Sequence, residues 1–189
     1  PTQGDQGQTE LETTLTNIGK NSRLNINIEY QNKTAITEDE RAIVQDAAGA
    51  LANLGQFRTL FSPNDNLEIN TVYSHRLASG TSLSLNAGYV YDQSRSLLGL
   101  PSGNLIDPAT AAATFRYFDQ YGALRRDRET HTAQAGAGLD GKLADWRWSL
   151  TADYNRTQSD TDIDRSSDTS AVQAAIDAGC DYIHLGQED

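Results

Sequence analysis

The chain contains no methionine, one cysteine, and no apolar run approaching the roughly 18 residues that a membrane-spanning helix needs. The lone Cys180 excludes an internal disulfide framework, and the missing run excludes a helical membrane protein. Basic residues are few: 15 Lys and Arg stand against 26 Asp and Glu, for a net charge of -11. The densest basic run, Leu124 to Glu129 (LRRDRE), carries its own acids. No basic patch is left for phosphate, which excludes nucleic acid as a partner. Also missing are a Ser/His/Asp set, a phosphate loop and a CxxC pair, so no enzyme and no cofactor are expected. His75, His131 and His184 lack metal-ligand spacing. Asp160, Asp162 and Asp164 alternate like the start of a calcium loop. Arg165 replaces the glycine that loop needs and Ala171 the closing glutamate, so a solvated acidic loop is expected. The sequence opens on Pro1 without a signal peptide, which reads as a fragment or a trimmed chain.

What is present is alternation. From Leu67 to Tyr91 two arms are joined by a turn at Ala78 to Gly80. Leu67, Ile69, Thr71, Tyr73 and His75 share one face, as do Leu83, Leu85, Ala87, Tyr89 and Tyr91. Successive strand side chains point to opposite sides, so each arm is a strand with one apolar and one polar face. The pattern recurs on both sides of this hairpin. A weak strand over residues 10–16 precedes a strong one over 22–33, where Leu24, Ile26, Ile28 and Tyr30 oppose Asn25, Asn27, Glu29 and Gln31. Residues 129–139 lead to 146–158, where Trp146, Trp148, Leu150, Ala152 and Tyr154 share the cleanest face in the chain. Residues 1–9 read as a flexible lead-in. Residues 159–189 read as an acidic loop and a helix–strand tail.

The expected fold is all-β: an antiparallel up-and-down meander of about six strands in three hairpins, forming an incomplete segment of a transmembrane β-barrel. Such a barrel needs apolar residues only at alternate positions, so a mean hydropathy of -0.59 does not exclude it. Tilted strands of about ten residues cross a bilayer core, and short turns at one end with long loops at the other fit this architecture. Aromatics on the apolar face suit an interfacial girdle. Lipid is expected to meet Leu24, Ile26, Ile28, Tyr30, Leu67, Ile69, Tyr73, Leu83, Leu85, Tyr89, Tyr91, Trp146, Trp148, Leu150 and Tyr154. A lumen is expected to meet Asn27, Glu29, Asn70, Ser84, Asn86, Arg147, Thr151 and Asp153. The alternative is a soluble secreted or periplasmic β-sandwich that binds a ligand through its loops. One long loop is expected to hold a short helix over residues 37–54, with a capping box from Thr37 and Glu40.

Residues 62–101 (SPNDNLEINTVYSHRLASGTSLSLNAGYVYDQSRSLLGLP) and 124–165 (LRRDRETHTAQAGAGLDGKLADWRWSLTADYNRTQSDTDIDR) resemble the early barrel strands of TonB-dependent outer-membrane receptors of Gram-negative bacteria. The resemblance implies a location in the bacterial outer membrane, a barrel of about 22 strands filled by a plug, coupling to TonB, and energised uptake of a scarce ligand such as a siderophore-bound metal or a nutrient. Plug and TonB box are not found in this sequence. The tail, CDYIHLGQED from Cys180, separately resembles a strand and loop of thiamine phosphate synthase, a TIM-barrel enzyme. That match would make Asp189 a metal-binding position and place His184 to Gln187 at a strand end. It covers one βα unit of eight, so the tail is either a chance match within an extracellular loop or a junction of unrelated pieces near Gly179, the latter being the preferred expectation.

Overall fold

Backbone pairing follows the alternation. The computed structural model describes residues 6–41, 43, 53–77, 80–166 and 169–179. Six long strands form one antiparallel sheet: β1 (Gln8–Ile18), β2 (Ser22–Lys33), β5 (Asn64–Arg76), β6 (Ser82–Leu97), β9 (Arg125–Leu143) and β10 (Trp146–Ile163). Each pairs with the next in the order β1-β2-β5-β6-β9-β10, with no register shift along any of these ladders. The sheet is open, and β1 and β10 each have one neighbour.

Its hairpins close through residues 19–21, 77–81 and 144–145 at one end. At the other end, residues 34–63 and 98–124 form two long connections. The first contains the ribbon of β3 (Ile36–Thr37) and β4 (Thr59–Phe61). The second contains the ribbon of β7 (Ser102–Ile106) and β8 (Ala113–Tyr117). Helix α1 (Ser170–Asp177) follows β10 and packs on β7.

No apolar side chain of the large sheet is buried. Ile36, Leu54, Leu100, Leu105, Phe118 and Ile176 are buried, and all lie in the long connections or in α1. Leu11, Leu150 and Trp146 of the sheet are 64 %, 62 % and 80 % exposed. Among the described residues no second layer covers the sheet, which a β-sandwich would require.

Several expected boundaries shift. Gln8 and Thr9 belong to β1 rather than to a flexible lead-in, and the amide of Thr34 donates to the Gly7 carbonyl at 2.9 Å; residues 1–5 lie outside the described residues. Asp160 and Asp162 are strand residues rather than loop, because β10 stays paired with β9 as far as Ile163 opposite Arg126. Alternation fades there because both faces are polar, yet the backbone ladder does not need it. The expected helix over 37–54 begins as a 3-10 turn at Asp39–Arg41. Half of its capping box forms, with the Thr37 amide donating to Glu40 Oε2 at 2.8 Å. Residues 42 and 44–52 lie outside the described residues, as do Ala78, Ser79 and the tail from Cys180, with His184 to Gln187 and Asp189.

Candidate functional site

The register sorts the expected site residues cleanly. Tyr30, Leu67, Tyr91 and His131 stand in one ladder row, Ile28, Ile69 and Tyr89 in another, and Leu24, Tyr73 and Leu85 in a third. Leu83 pairs with Leu139, which pairs with Leu150, and Trp148 pairs with Gly141. These rows alternate with polar ones. Asn27, Asn70, Gly88, Gln134 and Asn155 form one, and Asn86, Gly136 and Asp153 lie in the next. All the residues expected to meet lipid therefore share one face. Glu29, Ser84, Arg147 and Thr151, with the polar residues just named, share the other.

The hydroxyls of three apolar-face tyrosines, Tyr30, Tyr73 and Tyr89, point along the strands, away from the middle of the apolar band. Tyr30 donates to Asp65 Oδ1 at 2.9 Å, and the Tyr89 hydroxyl lies 2.8 Å from His131 Nδ1, both toward the long loops. Tyr73 lies 3.4 Å from His75 Nδ1, toward the short turns. The rings lie on the apolar face, and the tip of Tyr30 reaches Asp65 in the polar row beyond it, whereas those of Tyr89 and Tyr73 reach histidines in the last rows of the apolar face. Glu129 holds the far nitrogen of His131, 2.9 Å away. At the turn end the Trp148 indole lies flat across Gly141. A Cβ there would come within 2.6 Å of the indole, so the glycine makes room for the ring.

Amides and carboxylates cover the polar face. Side chains of Asn86 and Asp153 lie over Gly136, and those of Gln134 and Asn70 over Gly88. Glu12, Glu29 and Glu68 occupy one row, a like-charge arrangement that costs stability. Asn27 donates to Glu12 at 2.8 Å and Asn70 to Glu68, which partly offsets that repulsion. The face can hydrogen-bond to water or to a polar filler. Among the described residues no cluster of three metal-ligating side chains exists.

Sequence reasoning missed a cavity of about 310 Å³ where the long connections meet, lined by Leu54, Arg58, Leu98, Gly99, Leu100, Ser102, Tyr117, Leu124 and Ser166. Backbone bonds staple its walls: Gly99 donates to Phe57 at 2.9 Å, Leu98 to Leu124 at 2.8 Å and Leu124 to Gly99 at 2.8 Å. Gly99 has a φ of +102°, which favours glycine, and the Arg58 stem lies beside its α-carbon. The Arg58 Nε is held by Glu38 Oε1 at 3.2 Å. An arginine, a tyrosine and two serines lining the cavity together with four leucines can hold a small, partly apolar ligand. The aromatic run containing Tyr117 was the visible signal; nothing in the spacing marked Arg58.

The loop cap has its own small core, in which Leu105, Phe118 and Ile176 pack together with Val172 against them. Gln173 of α1 accepts the Ile106 amide and donates to the Ile106 carbonyl, both at 2.8 Å, so its side chain imitates a strand edge. The hydroxyl of Thr110 and the backbone N–H of Ala109 hold the Asp107 carboxyl below the usual carboxylate range. The chain matches no protein-family model, and no curated protein shows significant similarity to it.

Proposed function

We propose that this chain is a wall segment of an outer-membrane β-barrel of the receptor–transporter kind, working in energised uptake of a scarce ligand. The observation that carries the proposal is the uncovered apolar face: an array of leucines, isoleucines and aromatics, with the hydroxyls of Tyr30 and Tyr89 turned toward one end and that of Tyr73 toward the other. In water such a patch would drive aggregation; lipid removes that penalty. The polar face then lines the lumen, and the free edges of β1 and β10 are continued by further strands. The cavity beside Arg58 and Tyr117 sits at the long-loop end, where a ligand would arrive from outside. Energy coupling to TonB rests on the resemblance of residues 62–101 and 124–165 alone.

Refolding the chain into a mild detergent tests this. A monodisperse, β-rich species is expected that precipitates when the detergent is withdrawn. A folded monomer persisting in detergent-free buffer would contradict the proposal.

A further inference from the structure

The apolar band does not run straight across the sheet. On β2, β5 and β6 it ends toward the long loops at the row containing Tyr30, Leu67 and Tyr91; the next residues on that face are Asn32, Asp65 and Gln93. On β10 it ends earlier, at Tyr154, and is followed by Arg156, which shares a row with the fully apolar Ile28 and Ile69. The other edge moves the same way. The band stops at Leu15 on β1 and Leu24 on β2, reaches Leu83 on β6, and runs on to Leu143 and Trp146 in the last hairpin. Averaged over both edges, the band centre drifts by about 1.2 residues per strand, or about 4 Å along the strands for each step of about 4.8 Å across them.

A uniform apolar slab leaves such a diagonal only when the strands cross it obliquely. The two lengths correspond to an angle of about 40° from the slab normal, within the roughly 35–45° of strands in membrane barrels. Eight steps of band on β6 (Leu83 to Tyr91) or on β10 (Trp146 to Tyr154) extend about 27 Å along the strand and about 21 Å along the normal, close to the apolar height of about 25 Å once side-chain ends are added. The diagonal also accounts for Tyr154. Its row partners Ala87 and Ala135 place it in mid-band on a straight reading, whereas on the drifting band it stands at the upper edge, like Tyr30 and Tyr91.

We infer that the lipid bilayer crosses this sheet along the diagonal, so that residues of one ladder row lie at different depths, about 3 Å apart per strand. This deepens the membrane reading and rests on it. In the row Thr13–Ile69–Arg156, Thr13 lies near the midplane and Arg156 about 15 Å from it, at headgroup level.

The test places single nitroxide labels at Thr13, Ile69 and Arg156 in the full chain carrying Cys180→Ser, reconstituted into phosphatidylcholine vesicles. Depth is read from collision with oxygen and with a water-soluble nickel chelate. A monotonic rise from Thr13 to Arg156 totalling about 15 Å is expected. Equal depths to within about 3 Å, or a reversed order, would overturn the diagonal while leaving lipid contact intact. Labels open to the nickel chelate and closed to lipid at all three positions would overturn the membrane reading and the diagonal with it.

Discussion

Replacing Ala87 by arginine is expected to cost about 2–4 kcal/mol when the sheet is embedded in lipid, and a few tenths of a kcal/mol or less if it stands in water. Ala87 is the midpoint of the apolar band on β6, four residues from both Leu83 and Tyr91, and it is exposed with Thr71 and Ala135 beside it in the ladder. No packing is lost by the change, so any large penalty comes from bringing a charge into hydrocarbon. The control is Gln93→Arg on the same strand and face, two residues beyond Tyr91, where the expected cost is about 0–1 kcal/mol because the position lies at the interface. Urea titration of the vesicle-inserted protein reads both. A sandwich core would penalise Ala87→Arg by steric exclusion, but it would also have to cover Ala87, and among the described residues nothing does.

The second large effect lies in the loop cap. Ile176→Ala removes the α1 side chain that fills the cluster with Leu105 and Phe118, where large-to-small changes cost about 2–5 kcal/mol. A helix of eight residues is not stable alone in water, so this loss releases α1 from β7. The amide of Ile106, which donates to Gln173, should then exchange with solvent at least about thirtyfold faster, at 1.4 kcal/mol per factor of ten. Amides of β9 should be unaffected. Unchanged exchange at Ile106 would mean that α1 is held by something other than this cluster.

The docked helix bears on the tail. Helix α1, which precedes the expected junction near Gly179, is tied into the second long connection through Ile176 and Gln173. The resemblance to thiamine phosphate synthase begins at Cys180, outside the described residues.

The sheet was legible because a strand with one apolar and one polar face must alternate, as Leu24 to Tyr30 and Trp146 to Tyr154 do. Strand ends were less legible. Beyond Tyr91 and Tyr154 both faces meet polar surroundings, the period-two signal disappears, and only backbone pairing extends β6 to Leu97 and β10 to Ile163. The diagonal drift was invisible because it is a relation between strands, and a sequence shows each strand without its register. The cavity beside Arg58 was hidden for a similar reason: its walls come from residues 54–58, 98–102, 117–124 and 166, joined by irregular backbone bonds that no periodicity announces. The aromatic residues of the apolar face were half legible. They stood out in the sequence, but the directions of the Tyr30, Tyr73 and Tyr89 hydroxyls depend on Asp65, His75 and His131 in neighbouring positions.

The central claim is that the apolar face meets lipid, and the chain carries its own reporters for it. Trp146 and Trp148 are its only tryptophans, and both lie on that face at the short-turn edge of the band. The most direct measurement is tryptophan fluorescence of the reconstituted chain in vesicles of phosphatidylcholine brominated at defined positions along the acyl chain. The account predicts strong quenching, greatest when the bromines lie near the headgroup end of the acyl chain and weaker when they lie near its terminus. Fluorescence insensitive to brominated lipid but quenched by aqueous iodide would contradict it.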